Sequence, residues 1–140
     1  MSEVKGLSRT LPPKEIPFQF ECTGAITSRD YKGSFTVKVP SVREMSQIGL
    51  ELSRINQGIP LESLDVNTAR LNNAIAFLTV TLTQAPDWFT SEDDVDYGFG
   101  TLDVNLITTL FRQASGLVDD WHKTVRGEKV VKSKGKVKTA

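Results

Sequence analysis

The chain has 140 residues, 39% of them hydrophobic, and its 17 Lys and Arg balance its 17 Asp and Glu. That length fits one domain, and that composition supports a modest core, which excludes a wholly disordered chain. No apolar stretch approaches the roughly 18 residues of a membrane span. The first fifteen residues lack the apolar centre of a secretory signal, and the single cysteine, Cys22, excludes an internal disulfide. These features predict a small, soluble, intracellular domain.

The residues take their places in chain order. Met1 to Glu15 read as an extended arm, interrupted by Gly6, Pro12 and Pro13. Alternation begins at Ile16, with Phe18, Phe20, Cys22 and Ile26 on one parity. The polar link Ser28-Arg29-Asp30 leads to a second alternating run with Phe35, Val37 and Val39 on one face, so a β-hairpin is expected, with Gly33 as a bulge or turn extension. Pro40 ends the second strand. Ser41-Val42-Arg43-Glu44 is a capping box, and Val42, Met45, Ile48, Leu52 and Ile55 carry a helical stripe that Gln57-Gly58-Ile59-Pro60 stops.

A second helix is expected from Asp65 or Asn67 to about Gln84, with Leu71, Ala74, Ile75, Leu78 and Leu82 as its stripe. Phe77 and Val80 widen that stripe, which marks the helix as central. The run Leu78 to Thr83 also alternates like a strand, but an apolar pattern that starts at Leu71 favours the helix, with Ala85-Pro86 as its break. Asp103 caps the last helix, whose stripe runs from Leu106 to Trp121 and which Gly127 ends. The chain is therefore expected to be α+β: an N-terminal β-hairpin packed on about three α-helices. Residues 1–15 form an extended arm, 16–126 a single domain and 127–140 a basic, flexible tail.

Charge is unevenly spread along this order. Six acidic residues and no Lys or Arg lie between Asp87 and Asp103, whereas seven Lys and Arg against Glu128 alone lie between Lys123 and Ala140. The basic tail lacks aromatic residues on which bases would stack and is poor in arginine, so nucleic acid is not an expected partner. Catalytic signatures are missing too. His122 has no second histidine, a Cys22–His122 pair is set aside because Cys22 falls on the apolar parity of its strand, and no phosphate-cradling glycine loop or nucleophile elbow is present. The acidic run does not match the order of a calcium-binding EF-hand loop. No enzyme activity, cofactor or metal is expected.

Protein binding remains. Pro86, Asp87, Trp88 and Phe89 stand where the central helix stops, and Tyr97 and Phe99 follow the acidic run. Two readings of Trp88 stay open: a plug of the core, or an aromatic anchor for a partner beside a charged rim.

The strand Tyr31-Lys32-Gly33-Ser34-Phe35-Thr36-Val37 running into a capped helix, and the Ala85-Pro86-Asp87-Trp88-Phe89 junction before a final amphipathic helix, carry a resemblance. Over roughly Pro17 to Trp121 the chain resembles small proteins encoded among the tail genes of long-tailed bacteriophages and is similar to the tail assembly chaperones. The resemblance implies a non-enzymatic protein that holds the tape measure protein in the host cytoplasm during assembly, is mainly helical and self-associates. The alternative is a structural virion protein, such as a head–tail connector, tail or decoration subunit, whose arm and tail order on neighbouring subunits.

Overall fold

Alternating apolar residues become strands only when one face finds a cover, and here that cover is helical. The computed structural model describes residues 10–60, 64–90 and 98–127. Strand β1 (Glu15–Thr23) pairs antiparallel with β2 (Asp30–Lys38) in unbroken register, Phe18 opposite Phe35 and Cys22 opposite Tyr31. Helix α1 (Val42–Asn56) and helix α2 (Val66–Thr81) follow. The short strand β3 (Leu82–Gln84), the one-turn helix α3 (Asp87–Thr90) and the long helix α4 (Val104–Val125) complete the order. The sheet is three-stranded, β1-β2-β3, and the fold is α+β as expected.

Phe18, Phe20, Tyr31, Phe35, Val37 and Val39 turn one sheet face towards Ala74 and Leu78 of α2 and Leu106, Ile107, Leu110, Ala114 and Val118 of α4. Helix α1 packs on α2. Its capping box forms as expected: Ser41 Oγ accepts from the Glu44 N–H at 3.2 Å, and Glu44 Oε1 accepts from the Ser41 N–H at 2.8 Å. Lys38, at the end of β2, donates to Glu44 at 2.7 Å and ties the strand to the cap. At the other end Gln57 and Gly58 both adopt positive φ, and Asn72 of α2 donates to the buried Asn56 at 2.6 Å.

Four expectations need correction. Ile26 is 68% exposed and sits in the turn after β1, because the strand parity ends at Thr23. Gly33 is no bulge: it pairs regularly with Phe20, and a Cβ there would stand 2.7 Å from Pro86 Cγ, so glycine admits the proline against the strand. Helix α2 ends at Thr81, three residues early. Its Thr79 and Thr81 hydroxyls bond back to the carbonyls of Ile75 and Phe77, a pattern that weakens a helix end, and Leu82–Gln84 then join β2 as an edge strand. Finally, the stripe of α1 is only partly used. Val42 is 81% exposed and Met45 is exposed, while Ile48, Leu52 and Ile55 are half-buried.

The free edge of β1 is partly capped by α4. Lys14 and Gly24 bond across the hairpin (Val39 N–H to Lys14 O at 2.9 Å, Gly24 N–H to Arg29 O at 2.8 Å), so even-numbered residues face β2 and odd-numbered ones face outwards. Side chains of α4 cap the outward carbonyls: Trp121 donates to Pro13 O at 3.0 Å, Gln113 to Gln19 O at 2.9 Å and Asn105 to Thr23 O at 2.9 Å. Pro17, at an outward position, has no N–H to offer another strand.

Pro13 and Lys14 are thus bonded to the fold although they lie in the segment expected as an arm. Residues 1–9 and 128–140, which hold the rest of the arm and most of the basic tail, lie outside the described residues. A chain starting at Thr10 is expected to unfold cooperatively, and one starting at Glu15 to melt at a lower temperature because the Trp121 and Val39 donors lose their acceptors. Thermal unfolding followed by circular dichroism compares the two; equal melting temperatures would contradict this role for Pro13 and Lys14.

Candidate protein-binding site

The break after β3 brings the aromatic residues of the sequence together. Pro86 lies over Gly33, and α3 lays Trp88 and Phe89 on the edge of the sheet core. Trp88 donates its indole N–H to Lys32 O at 2.9 Å. Its ring meets Tyr31 at 5.3 Å and Phe35 at 6.0 Å between centroids. Phe89 packs edge-on against Phe35 at 5.3 Å and Phe99 at 5.5 Å. Of the six residues singled out in the sequence, Pro86, Trp88, Phe89 and Phe99 therefore form one cluster. Asp87 is exposed beside it, and Tyr97 lies outside the described residues. Trp88 is half-buried with its polar edge satisfied. What the cluster leaves open is Phe99, 43% exposed, beside a shallow recess of about 260 Å³ over Leu78, Leu82 and Ala85.

Beneath this cluster lies a contact that the sequence did not indicate. Asp103 heads α4, but its carboxylate makes no cap bond to the helix. It is 0% exposed and accepts from Ile26 N–H (2.7 Å), Thr27 N–H (3.0 Å), Thr27 Oγ1 (2.6 Å) and Tyr31 Oη (2.7 Å). Gly24 makes room for it: a Cβ there would overlap the carboxyl group, with Oδ1 at 2.7 Å. Asn105 completes the clasp, accepting from Ala25 N–H at 2.9 Å while donating to Thr23 O. Burial by itself raises the Asp103 pKa, but the bonds from Thr27, Tyr31 and Ile26 outweigh it and hold the carboxyl well below the usual carboxylate range. These bonds serve to bind the hairpin turn to α4.

Cys22 and His122 are kept apart. Asn105 touches Thr23, so Cys22 lies by the start of α4, whereas His122 is 17 residues further along that helix, roughly 25 Å at 1.5 Å per residue. Burial, and secondarily the Asp103 charge, push the Cys22 thiol up, away from the reactive thiolate. Among the described residues no three His, Cys, Asp or Glu come together to hold a metal ion, and no helix is long and apolar enough to cross a membrane.

A larger concavity lies elsewhere. A groove of about 830 Å³ runs between the N-terminal half of α2 and α4. Leu71, Ala74, Val104 and Phe111 give it an apolar lining, and Arg70 and Arg112 add charge. Leu71 and Phe111 were expected in buried stripes, and both are only half-buried. The sequence signal for this groove was the breadth of the α2 stripe, too wide for one partner helix, but nothing local told which part would stay uncovered. No protein-family model, curated protein or solved structure matches the chain.

Two outcomes follow from this geometry. Because the folded Asp103 carboxyl titrates below its unfolded value of about 3.9, its contribution to stability is complete above that pH and fades as the pH falls below it. Asp103→Asn is expected to lower the melting temperature at neutral pH and to flatten the acid limb of the stability curve. Urea unfolding of both proteins at a series of pH values measures this, and parallel acid limbs would contradict it. Trp88→Ala is expected to cost about 3 kcal/mol of folding stability, the low end for a large aromatic because the ring is half-buried. Trp88→Phe should cost about 1 kcal/mol for the lost bond to Lys32. Chemical denaturation of the two variants gives both values.

Proposed function

We propose that this chain is a non-enzymatic, protein-binding factor of phage tail assembly, a chaperone that holds a helical segment of the tape measure protein. The observation that carries the reading is the groove between α2 and α4, about 830 Å³, long enough to be lined by residues from Asn67 to Ala74 on one helix and from Val104 to Ser115 on the other. An apolar floor between two helices suits an amphipathic client helix, which buries its residues at i, i+3, i+4 and i+7. The tail-gene resemblance of the Tyr31–Val37 strand and the Ala85–Phe89 junction supplies the class of client. Pro86, Asp87, Trp88, Phe89 and Phe99 form the secondary surface of this proposal, in which the exposed edge of Phe99 is the part open to a partner; Tyr97, expected with them, lies outside the described residues.

The test separates a chaperone from a structural subunit. The protein is expected to associate with the tape measure protein before tails are complete and to be missing from purified mature virions. Quantitative mass spectrometry of purified particles measures its copy number. A fixed copy number in mature virions would make it a virion subunit and overturn the chaperone reading.

A further inference from the structure

The polarity of the client is also written in the groove. We infer that the α2–α4 groove selects an amphipathic helix whose apolar stripe is flanked by carboxylates. This inference rests on the groove being the client site and adds the chemistry of the client.

Arg70 comes from α2 and Arg112 from α4, so each side of the groove contributes one arginine, and among the described residues no Asp or Glu lines it. Neither guanidinium has an ion pair or side-chain hydrogen bond among the described residues. Elsewhere Arg54 of α1 pairs with Glu51, and Lys38 at the end of β2 pairs with Glu44. The carboxylates that head the two helices are engaged elsewhere. Asp65 accepts from the Thr68 N–H and hydroxyl at 2.8 and 2.7 Å, and Asp103 is turned inwards under Thr27 and Tyr31. Two unpaired planar cations beside an apolar floor complement a helix with Leu-type residues on its buried stripe and Glu or Asp on its flanks, because a guanidinium takes a carboxylate with two parallel bonds. The lysine-rich C-terminal segment has the wrong sign to fill this groove itself. Nucleic acid fits it less well, since Phe111 is occupied edge-on by Phe77 at 5.4 Å and among the described residues the floor has no other ring on which a base would stack.

The probe is a synthetic amphipathic helix of about 18 residues, five turns, with a leucine stripe flanked by glutamates, and a twin with lysine at each flanking position. Fluorescence anisotropy with the full chain is expected to give at least about tenfold tighter binding of the glutamate peptide, weakening with salt. Arg70→Glu with Arg112→Glu should reverse the preference towards the lysine peptide. Arg70→Gln with Arg112→Gln should abolish the preference without reversing it, and stands in if the charge reversal misfolds. A preference unchanged in these variants would place the acidic peptide elsewhere, on the lysine-rich segment, and overturn the inference. Equal binding of both peptides to the parent protein would overturn it while leaving the groove a client site; binding of neither would sink both. Light scattering covers the remaining occupant: an oligomer of the parent chain that dissociates in the Arg70/Arg112 variants would assign the groove to a second copy and overturn the inference as well.

Discussion

The fold depends on one buried carboxylate. Asp103 lies more than seventy residues from its partners in the hairpin turn and in β2, yet its two oxygens receive four hydrogen bonds from Ile26, Thr27 and Tyr31. A buried charge without partners is strongly destabilising, so these donors must be in place whenever α4 docks. The interaction therefore acts as a register pin. It fixes where α4 begins on the sheet, and through Tyr31 it fixes the ring against which Trp88 packs.

Once α4 is pinned at its N-terminus, its length covers the edge of β1. Asn105, Gln113 and Trp121 meet Thr23, Gln19 and Pro13 in reverse order along the strand, so the helix runs antiparallel to the edge it protects. A nine-residue edge strand with Phe18 and Phe20 in it is a ready template for another chain. Capping the carbonyls of Gln19 and Thr23 by side chains, with Pro17 removing one outward donor, blunts that template. At the opposite edge β3 is only three residues long, which offers little to pair with.

The helical layer is less evenly used. Helix α2 is shared among the sheet, α1 and α4, and α1 rests on α2 with its first turn open. Because α2 supplies small Ala74 and Ala76 to its buried faces, its neighbours approach closely along part of its length. Beside its N-terminal half, however, the helices leave the groove floored by Leu71 and Phe111. Arg70 and Arg112, which have no ion pair among the described residues, stand over this groove.

Much of the architecture was legible from local rules. The alternation of Phe18, Phe20, Phe35, Val37 and Val39, the Ser41–Glu44 capping box, the stop at Gln57-Gly58 and the stripe from Leu106 to Val118 depend on neighbours within a turn of helix or along a strand. Sequence determines such features by itself. Where two local rules competed, tertiary contact decided: Leu82–Gln84 left the helix because β2 had a free edge. Gly33 was expected as a bulge or turn extension and instead admits Pro86, while Gly24 admits Asp103, both side chains far along the chain. The groove is of the same kind. Arg70 and Arg112 carry no sign of each other in the sequence, because they become neighbours only when α2 and α4 pack, and that packing is set by burial summed over the whole core.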